Sequence, residues 1–478
     1  MTPFAAYMAS LPRALVAAAL AVIIAGVVRG LLDAQRSRAA RAWTWGLLLV
    51  PLCTPALLVG YFYATIALLL RHEWLNASLY TLLVTARIVP VATAMLCFAP
   101  RSAVSPAALW CAALARRGGR GPGLPAMIGL VLRGPGLPAV AAFAVGFVLA
   151  FGEFEIASLM QVRAWTVWLF DAQVGGLALG DSLRFALPAL VLQLLILGPV
   201  LVLLLRRHLA TGVPGLAVSP RPAARIGSAG THWIAAAYIL VSVTGGGVLP
   251  AIAVVPHATP GLVALWRDPF PVREIPASLM VAAAAAALAF VAAGRLVAAR
   301  RATLRPGVAI AMLLLCVPGL LGSLPLALGV RALVEPWMAR ILGEGPAPLL
   351  AALLLLLLPP ALILRGLSTP DGPAMFLARA VHRAPALADR GRHLLWLMKR
   401  RADLAVFFLL GCWAYFDLCC GVLLAPRGMA LAPQLLYNQM HYGRRAVLSA
   451  MVLVFVAAPV VVFVFALIGA RAYHRRTV

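Results

Sequence analysis

Long apolar runs separated by short polar loops fill this chain. A helix needs about 20 predominantly apolar residues to cross a bilayer. Eleven runs meet that length, at roughly 12–32, 43–70, 75–98, 138–159, 186–205, 232–254, 275–297, 306–330, 346–364, 402–424 and 447–470. No polar stretch between them suggests a large soluble domain. The pattern predicts an all-α polytopic membrane protein with about eleven transmembrane helices. The runs 43–70 and 306–330 each hold two prolines, Pro51 with Pro55 and Pro318 with Pro325. Proline removes a helical hydrogen bond, so these two spans are predicted to bend, with neighbouring helices satisfying the freed groups.

Composition agrees. Of 478 residues, 63% are hydrophobic and only 11% charged, against about 45–50% and 25% in soluble domains. The net charge of +26 would suit nucleic acid, but its placement points elsewhere. Strict alternation puts the loops 33–42, 101–137, 206–231, 298–305, 365–401 and the C-terminal tail on one side. There lie Arg36, Arg38, Arg41, Arg116, Arg117, Arg120, Arg206, Arg207, Arg300, Arg301, Lys399, Arg400, Arg401, Arg475 and Arg476. The other side collects Glu73, Asp171, Asp181, Asp268, Glu274, Glu335 and Glu344, with Arg163, Arg267 and Arg444 as exceptions. Clustered arginine marks the cytoplasmic side. The N-terminus is therefore expected outside, the C-terminus in the cytoplasm, and no nucleic-acid partner. The seven cysteines form no CxxC pair and read as small packing residues rather than metal ligands. The first run is too long for a cleavable signal and has no basic leader.

The chain also repeats itself in order. Leu11-Pro12-Arg13-Ala14-Leu15 resembles Ile275-Pro276-Ala277-Ser278-Leu279, and each run ends in an arginine-rich loop. The two proline-bent spans follow. Phe154-Glu155-Ile156 then answers Phe416-Asp417-Leu418, and Leu169 with Gln173 answers Leu435 with Gln439. Six spans separate the copies, so both cross in the same direction, as in transporters built of parallel repeats. The expected division is a first repeat over 1–210, a linker over 211–231 and a second repeat over 232–478. The span 232–254 has no partner in the first repeat.

At these residues the chain resembles the permease subunits of binding-protein-dependent ABC importers, most of all the fused two-domain permeases of the iron(III) and thiamine type. That family's cytoplasmic signature reads Glu-Ala-Ala, three residues, Gly, nine residues, Ile, one residue, Leu-Pro. Here Ala112-Ala113-Leu114, Gly118, Ile128 and Leu130-Val131 fill the frame once. Leu377-Ala378-Arg379, Arg383, His393 and Leu395-Trp396 fill it a second time. Both copies lack the glutamate and the final proline, and the second lacks the glycine. The resemblance implies iron transport or a related small solute, an ATP-binding cassette ATPase as partner in two copies, and a periplasmic or extracellular binding protein. It also implies a place in a bacterial inner membrane.

An ATP-driven importer passes motion from a soluble motor to membrane helices through short cytoplasmic helices. Pro106–Arg117 and Pro373–His382 suit that part, since each opens with proline, tolerated in a first turn, and is alanine-rich. The candidate docking residues are Ala112, Ala113, Arg116, Arg117, Gly118, Ala378, Arg379, His382 and Arg383. The bland reading is a set of basic loops that orient the spans and touch anionic lipid. For the path, Glu153, Glu155 and Asp417 fall inside spans, where an acid costs about 2.5–3.5 kcal/mol at the bilayer centre. They suit a polar ring at an outer mouth, or structural pairs. Glu153 and Glu155, two apart, point in different directions on a continuous helix. Arg87 lies mid-span and needs a partner, for which Glu153 is a candidate. Tyr437, Asn438 and Gln439 open a polar outer loop with Met440, His441 and Tyr442, suited to a gate or to an interfacial aromatic belt. No GxxxxGK[ST], HExxH or GxSxG sequence occurs, so no catalytic residue, cofactor or metal site is expected, and ATP hydrolysis is assigned to a separate subunit. An ion-coupled carrier, a non-transporting scaffold derived from a permease, and an intramembrane enzyme are the other classes.

Overall fold

The computed structural model describes residues 2–98, 106–119, 123–134, 136–211, 229–267, 270–302, 306–338, 345–368, 377, 380–383, 391, 394–395, 399, 401–441 and 445–477. Every regular element among them is helical. Eight helices are long and apolar enough to cross a membrane, and eleven if each of three bent helix pairs counts as one span. The protein is a multi-pass membrane protein. By contacts it divides into two units, Met1–Ile252 and Ala253–Val478. The boundary falls beyond most of the span that the sequence pattern grouped with the second repeat.

The first unit opens with α1 (Pro3–Ala34), started by Thr2, whose hydroxyl accepts from the Ala5 amide, and by a proline in the first turn. One face of α1 is a stripe of small residues, Ala6, Ser10, Ala14, Ala17, Ala18, Ala21 and Ala25, all buried. Its opposite face exposes Phe4, Met8, Leu15, Val16 and Ile23. Small residues let helix backbones approach closely where no hydrophobic force acts between them. α1 packs along α4 (Glu73–Phe98) and α7 (Leu137–Phe151), which also pack on each other. Between α1 and α4 lie α2 (Arg38–Cys53) and α3 (Ala56–Leu69), bent by 70°. The bend comes at Thr54-Pro55, where proline stops the α2 ladder. α5 (Pro106–Arg117) and α6 (Leu124–Arg133) lead into α7. Then come α8 (Glu155–Leu159), α9 (Trp165–Val174), α10 (Leu179–Thr211) and α11 (Ala229–Val243), the last packed on α1 and α2. A π-helical turn over Thr244–Val248 joins α11 to α12 (Leu249–Arg267), within which the contact boundary falls.

The second unit runs through α13 (Phe270–Arg273), α14 (Ile275–Ala302), and α15 (Pro306–Leu320) with α16 (Ser323–Met338), bent by 108°. It continues with α17 (Ala347–Ser368), and α18 (Arg401–Tyr415) with α19 (Leu418–Leu424), bent by 56°. α20 (Ala432–His441) and α21 (Arg445–Thr477) close the chain. Here α14, α17 and α18 form the packed trio, and α16 lies on α19 as α3 lies on α8 in the first unit.

Burial gives a finer register than sequence did. Ser10, Ala14, Ala17, Ala18, Ala21 and Ala25 of α1 recur in spacing as Ser278, Ala282, Ala285, Ala286, Ala289 and Ala293 of α14. Ser10 thus answers Ser278, one turn away from the pairing of Leu11 with Ile275. In the same way Tyr80, Leu83, Val84, Ile88, Val89, Pro90 and Ala92 of α4 match Leu349, Ala352, Leu353, Leu357, Leu358, Pro359 and Ala361 of α17. Arg87 then falls opposite Leu356. In α9 and α20, Leu169 matches Leu436 rather than Leu435.

Candidate functional site: two interrupted spans

The span predicted as continuous over 138–159 is interrupted. α7 stops at Phe151, and Glu153 sits in the break before α8. Its carboxylate accepts from the amides of Ile156 at 2.6 Å and Ala157 at 3.1 Å. These are orphan donors of the new helix, and an acid at that end also meets the positive pole of the helix dipole. The break carries further bonds. The Thr166 hydroxyl donates to the Glu153 carbonyl at 2.7 Å, and the Trp165 indole to the Phe151 carbonyl at 2.7 Å. The buried Tyr80 hydroxyl bonds the Glu153 carboxylate. The Arg13 guanidinium lies over the Tyr80 ring, 5.7 Å from its centroid, and donates to the Arg163 carbonyl. Ser10, Arg13, Tyr80, Thr81 and Glu153 line a small pocket with room for about one water.

Arg87 completes the cluster. Its Nη1 donates to the Thr54 carbonyl at 2.9 Å, the group that the Pro55 break frees at the C-terminal end of α2. A cation at a helix C-terminus is favourable. Glu153 and Glu155 both lie within electrostatic reach of Arg87. The expectation that the two acids diverge rested on a continuous helix. The interruption removes that constraint, and Glu153 turns back to cap α8. Two broken spans, α2/α3 and α7/α8, thus meet at a group of four ionic side chains, Arg13, Arg87, Glu153 and Glu155. Irregular backbone at membrane depth is tolerated where protein encloses it or where it lines a polar cavity.

The second unit builds its break differently. Asp417, expected inside a span, is the N-cap of α19 and accepts from the Cys420 amide at 2.9 Å. It also bonds Ser323, the first residue of α16, and the Cys420 thiol reaches the Ser323 carbonyl at 3.9 Å. By capping role, an acid bonding the amide three residues on, Asp417 answers Glu153 rather than Glu155. Leu356 stands where the first unit has Arg87. The α15/α16 break is instead packed backbone to backbone. A Cβ on Gly319 would lie 2.1 Å from the Leu355 carbonyl oxygen, so only glycine permits this crossing.

Both units close the start of the next helix with a serine. Ser10 Oγ accepts from the Trp165 amide at 3.0 Å, and Ser278 Oγ from the Ala432 amide at 2.8 Å. Each serine also donates to a carbonyl one turn back, Ala6 or Glu274. The segment expected as a polar outer loop is α20 up to His441. On it Tyr437 is buried, Asn438 exposed and Gln439 half-buried, while 442–444 lie outside the described residues.

Of the docking candidates, the first set lies on α5, a helix over the expected Pro106–Arg117. Ala112 and Ala113 are half-buried, whereas Arg116, Arg117 and Gly118 are exposed, as are Trp110 and Leu114. In the second set His382 and Arg383 are exposed in a helical turn at 380–383, and Ala378 and Arg379 lie outside the described residues.

Sequence reasoning missed Arg13, Tyr80 and Ser10, which lie near span ends where polar residues are ordinary. It also missed Arg365, which pairs with Asp403 at 2.6 Å. The signal available was that each residue adjoins an apolar span rather than sitting in a loop. Compared with known proteins, the chain matches no family model, no curated protein and no solved structure.

Proposed function

We propose that this chain is the membrane-spanning permease of an ATP-driven importer, forming the path of a small solute such as iron(III). In this reading it is a parallel tandem repeat in a bacterial cytoplasmic membrane, with the N-terminus outside and the C-terminus in the cytoplasm. A pair of ATP-binding cassette subunits drives it, and a periplasmic or extracellular protein delivers the solute. The observation that carries the reading is that in each unit one span is bent at a short break and the helix packed on it restarts at an acid that caps it. Discontinuous helices near membrane depth are the way transporters present backbone and charge to a solute. Recurrence of the packed trio and of the Ser10 and Ser278 caps supports the tandem arrangement. The resemblance of the α5 region to a permease signature, and the exposed Trp110, Leu114, Arg116 and Arg117, support a motor contact there.

The test is association. The purified chain is mixed with the ATPase encoded beside its gene, as wild type and with Arg116, Arg117, Arg379 and Arg383 reversed to glutamate. A stable complex that the reversals dissolve is the expected result. A chain that binds no ATPase overturns the reading and leaves the carrier or scaffold. The missing signature glutamates at Ala112 and Leu377 are the observation favouring a scaffold.

A further inference from the structure

The strongest polar cluster outside the two breaks joins the arginine-rich ends of the second unit's trio. Arg365, near the end of α17, donates from Nη1 to Asp403 Oδ1 in the first turn of α18 at 2.6 Å. The two side chains are 15% and 21% exposed. The guanidinium lies 4.0 Å from the centroid of Phe290 on α14, and Phe290 meets Phe407 of α18 edge to face. Gly294, one turn beyond Phe290, leaves the room required: a Cβ there would stand 2.9 Å from Arg365 Nη2. Charge from α18, and ring and cleared space from α14, therefore converge on the guanidinium that α17 carries. An arginine so held exploits its planar fork and its affinity for an aromatic face.

Among the described residues, the first unit does not repeat this pair at the corresponding positions. In the burial register Leu96 stands for Arg365 and Val22 for Phe290, and in the break register Ala139 stands for Asp403. Gly26, in the place of Gly294, faces open space. The pair also brackets the connection 369–400, since α17 ends just before it and α18 begins just after. α18, with Asp403 in its first turn, runs as an unbroken rod of fifteen residues, about 22 Å. It ends at the interruption that Asp417 caps.

We infer that Arg365 and Asp403, with Phe290 and Gly294, are a positioning cluster that makes the ends of α14, α17 and α18 one body. Through it, displacement applied at the 369–400 connection reaches the Asp417 break instead of being lost in bending at the stems. The inference rests on the reading of the chain as a permease moved from the cytoplasm. It asks more of that reading than docking does: it names the joint where the push enters the membrane helices. Neither residue touches solute in this account.

Hydrogen–deuterium exchange on the full chain in lipid nanodiscs tests it without motor or solute. Asp403→Asn and Arg365→Gln are compared with wild type and with the swap Arg365→Asp/Asp403→Arg. Two peptides are read, 401–408 at the pair and 416–424 at the distant break. The expected result is exchange raised about tenfold in both peptides by each single change, and lowered again by the swap. A rise confined to 401–408 makes the pair a local prop and overturns the inference, as does no rise at all. Should Asp403→Asn not give folded chain, Asp403→Glu keeps the charge and moves it by one methylene. A rise at 416–424 is expected there too, and its absence counts against the cluster. Since no ATPase is present, this result and the association test above can fail independently.

Discussion

The two units solve the same problem, how to hold an interrupted span inside a membrane, with opposite chemistry. In the first unit an arginine crosses from α4 to the carbonyl freed at the α2 break, with two carboxylates within electrostatic reach. In the second, Leu356 stands in that place, the helices touch backbone to backbone at Gly319, and Asp417 bonds the Cys420 amide of its own helix and Ser323 of α16. The asymmetry reverses at the other end of the trio. There the second unit has Arg365 and Asp403 and the first has Leu96 and Ala139. A shared helix order therefore leaves open where the ionic side chains are placed, and it is those positions that distinguish the two units.

The comparison breaks most readily at Glu153. Glu153→Ala removes two amide caps, the Tyr80 partner and one of the two acids facing Arg87, so a loss of about 3–5 kcal/mol in unfolding free energy is expected. Asp417→Ala, which leaves no buried cation behind, should cost about 1–2 kcal/mol, as for a helix cap. Denaturant unfolding of both variants in one detergent decides, and equal losses would erase the distinction. Next comes Arg87→Leu, which imports the second unit's residue. It is expected to cost about 2–4 kcal/mol alone and at least about 1 kcal/mol less than additive with Glu153→Gln. An additive double-mutant cycle would mean the two do not interact. Gly319→Ala probes the packed joint and should cost about 1–3 kcal/mol by forcing α15 from α17; an unchanged midpoint would contradict the close crossing. The smallest effects sharpen the likeness. Ser10→Ala and Ser278→Ala should each cost about 1 kcal/mol, equal within error, because each hydroxyl makes the same two bonds. A cost at only one of the two would undo the shared register.

Much of this was legible in the chain. Eight or more spans emerge because apolar length is a direct physical requirement of the bilayer, and Pro55 marks a break because proline cannot continue the α2 ladder. The α5 helix follows from its opening proline and its alanines. Other features were not legible, for a common reason. The α7/α8 interruption contains no proline, and it exists because the Glu153 carboxylate, bonded by Tyr80, can cap α8 while Thr166 bonds the Glu153 backbone carbonyl. Such long-range partners leave no periodic trace. Register is hidden similarly: alanine-rich α1 and α14 can slide by one turn with little change in composition, and it takes burial and the serine bonds to align them. The Arg87 partnership was anticipated in part, since a mid-span arginine demands a counter-charge, but the Thr54 carbonyl was not.

The most direct test of the account is ATP hydrolysis by the ATPase encoded beside the gene. It is measured with and without this chain in nanodiscs, and with the binding protein carrying its natural solute. The account predicts that hydrolysis rises when the loaded binding protein meets the assembled chain, and that the rise is lost in the Arg116 and Arg117 reversals. A rate that is the same whether or not the chain is present would contradict it.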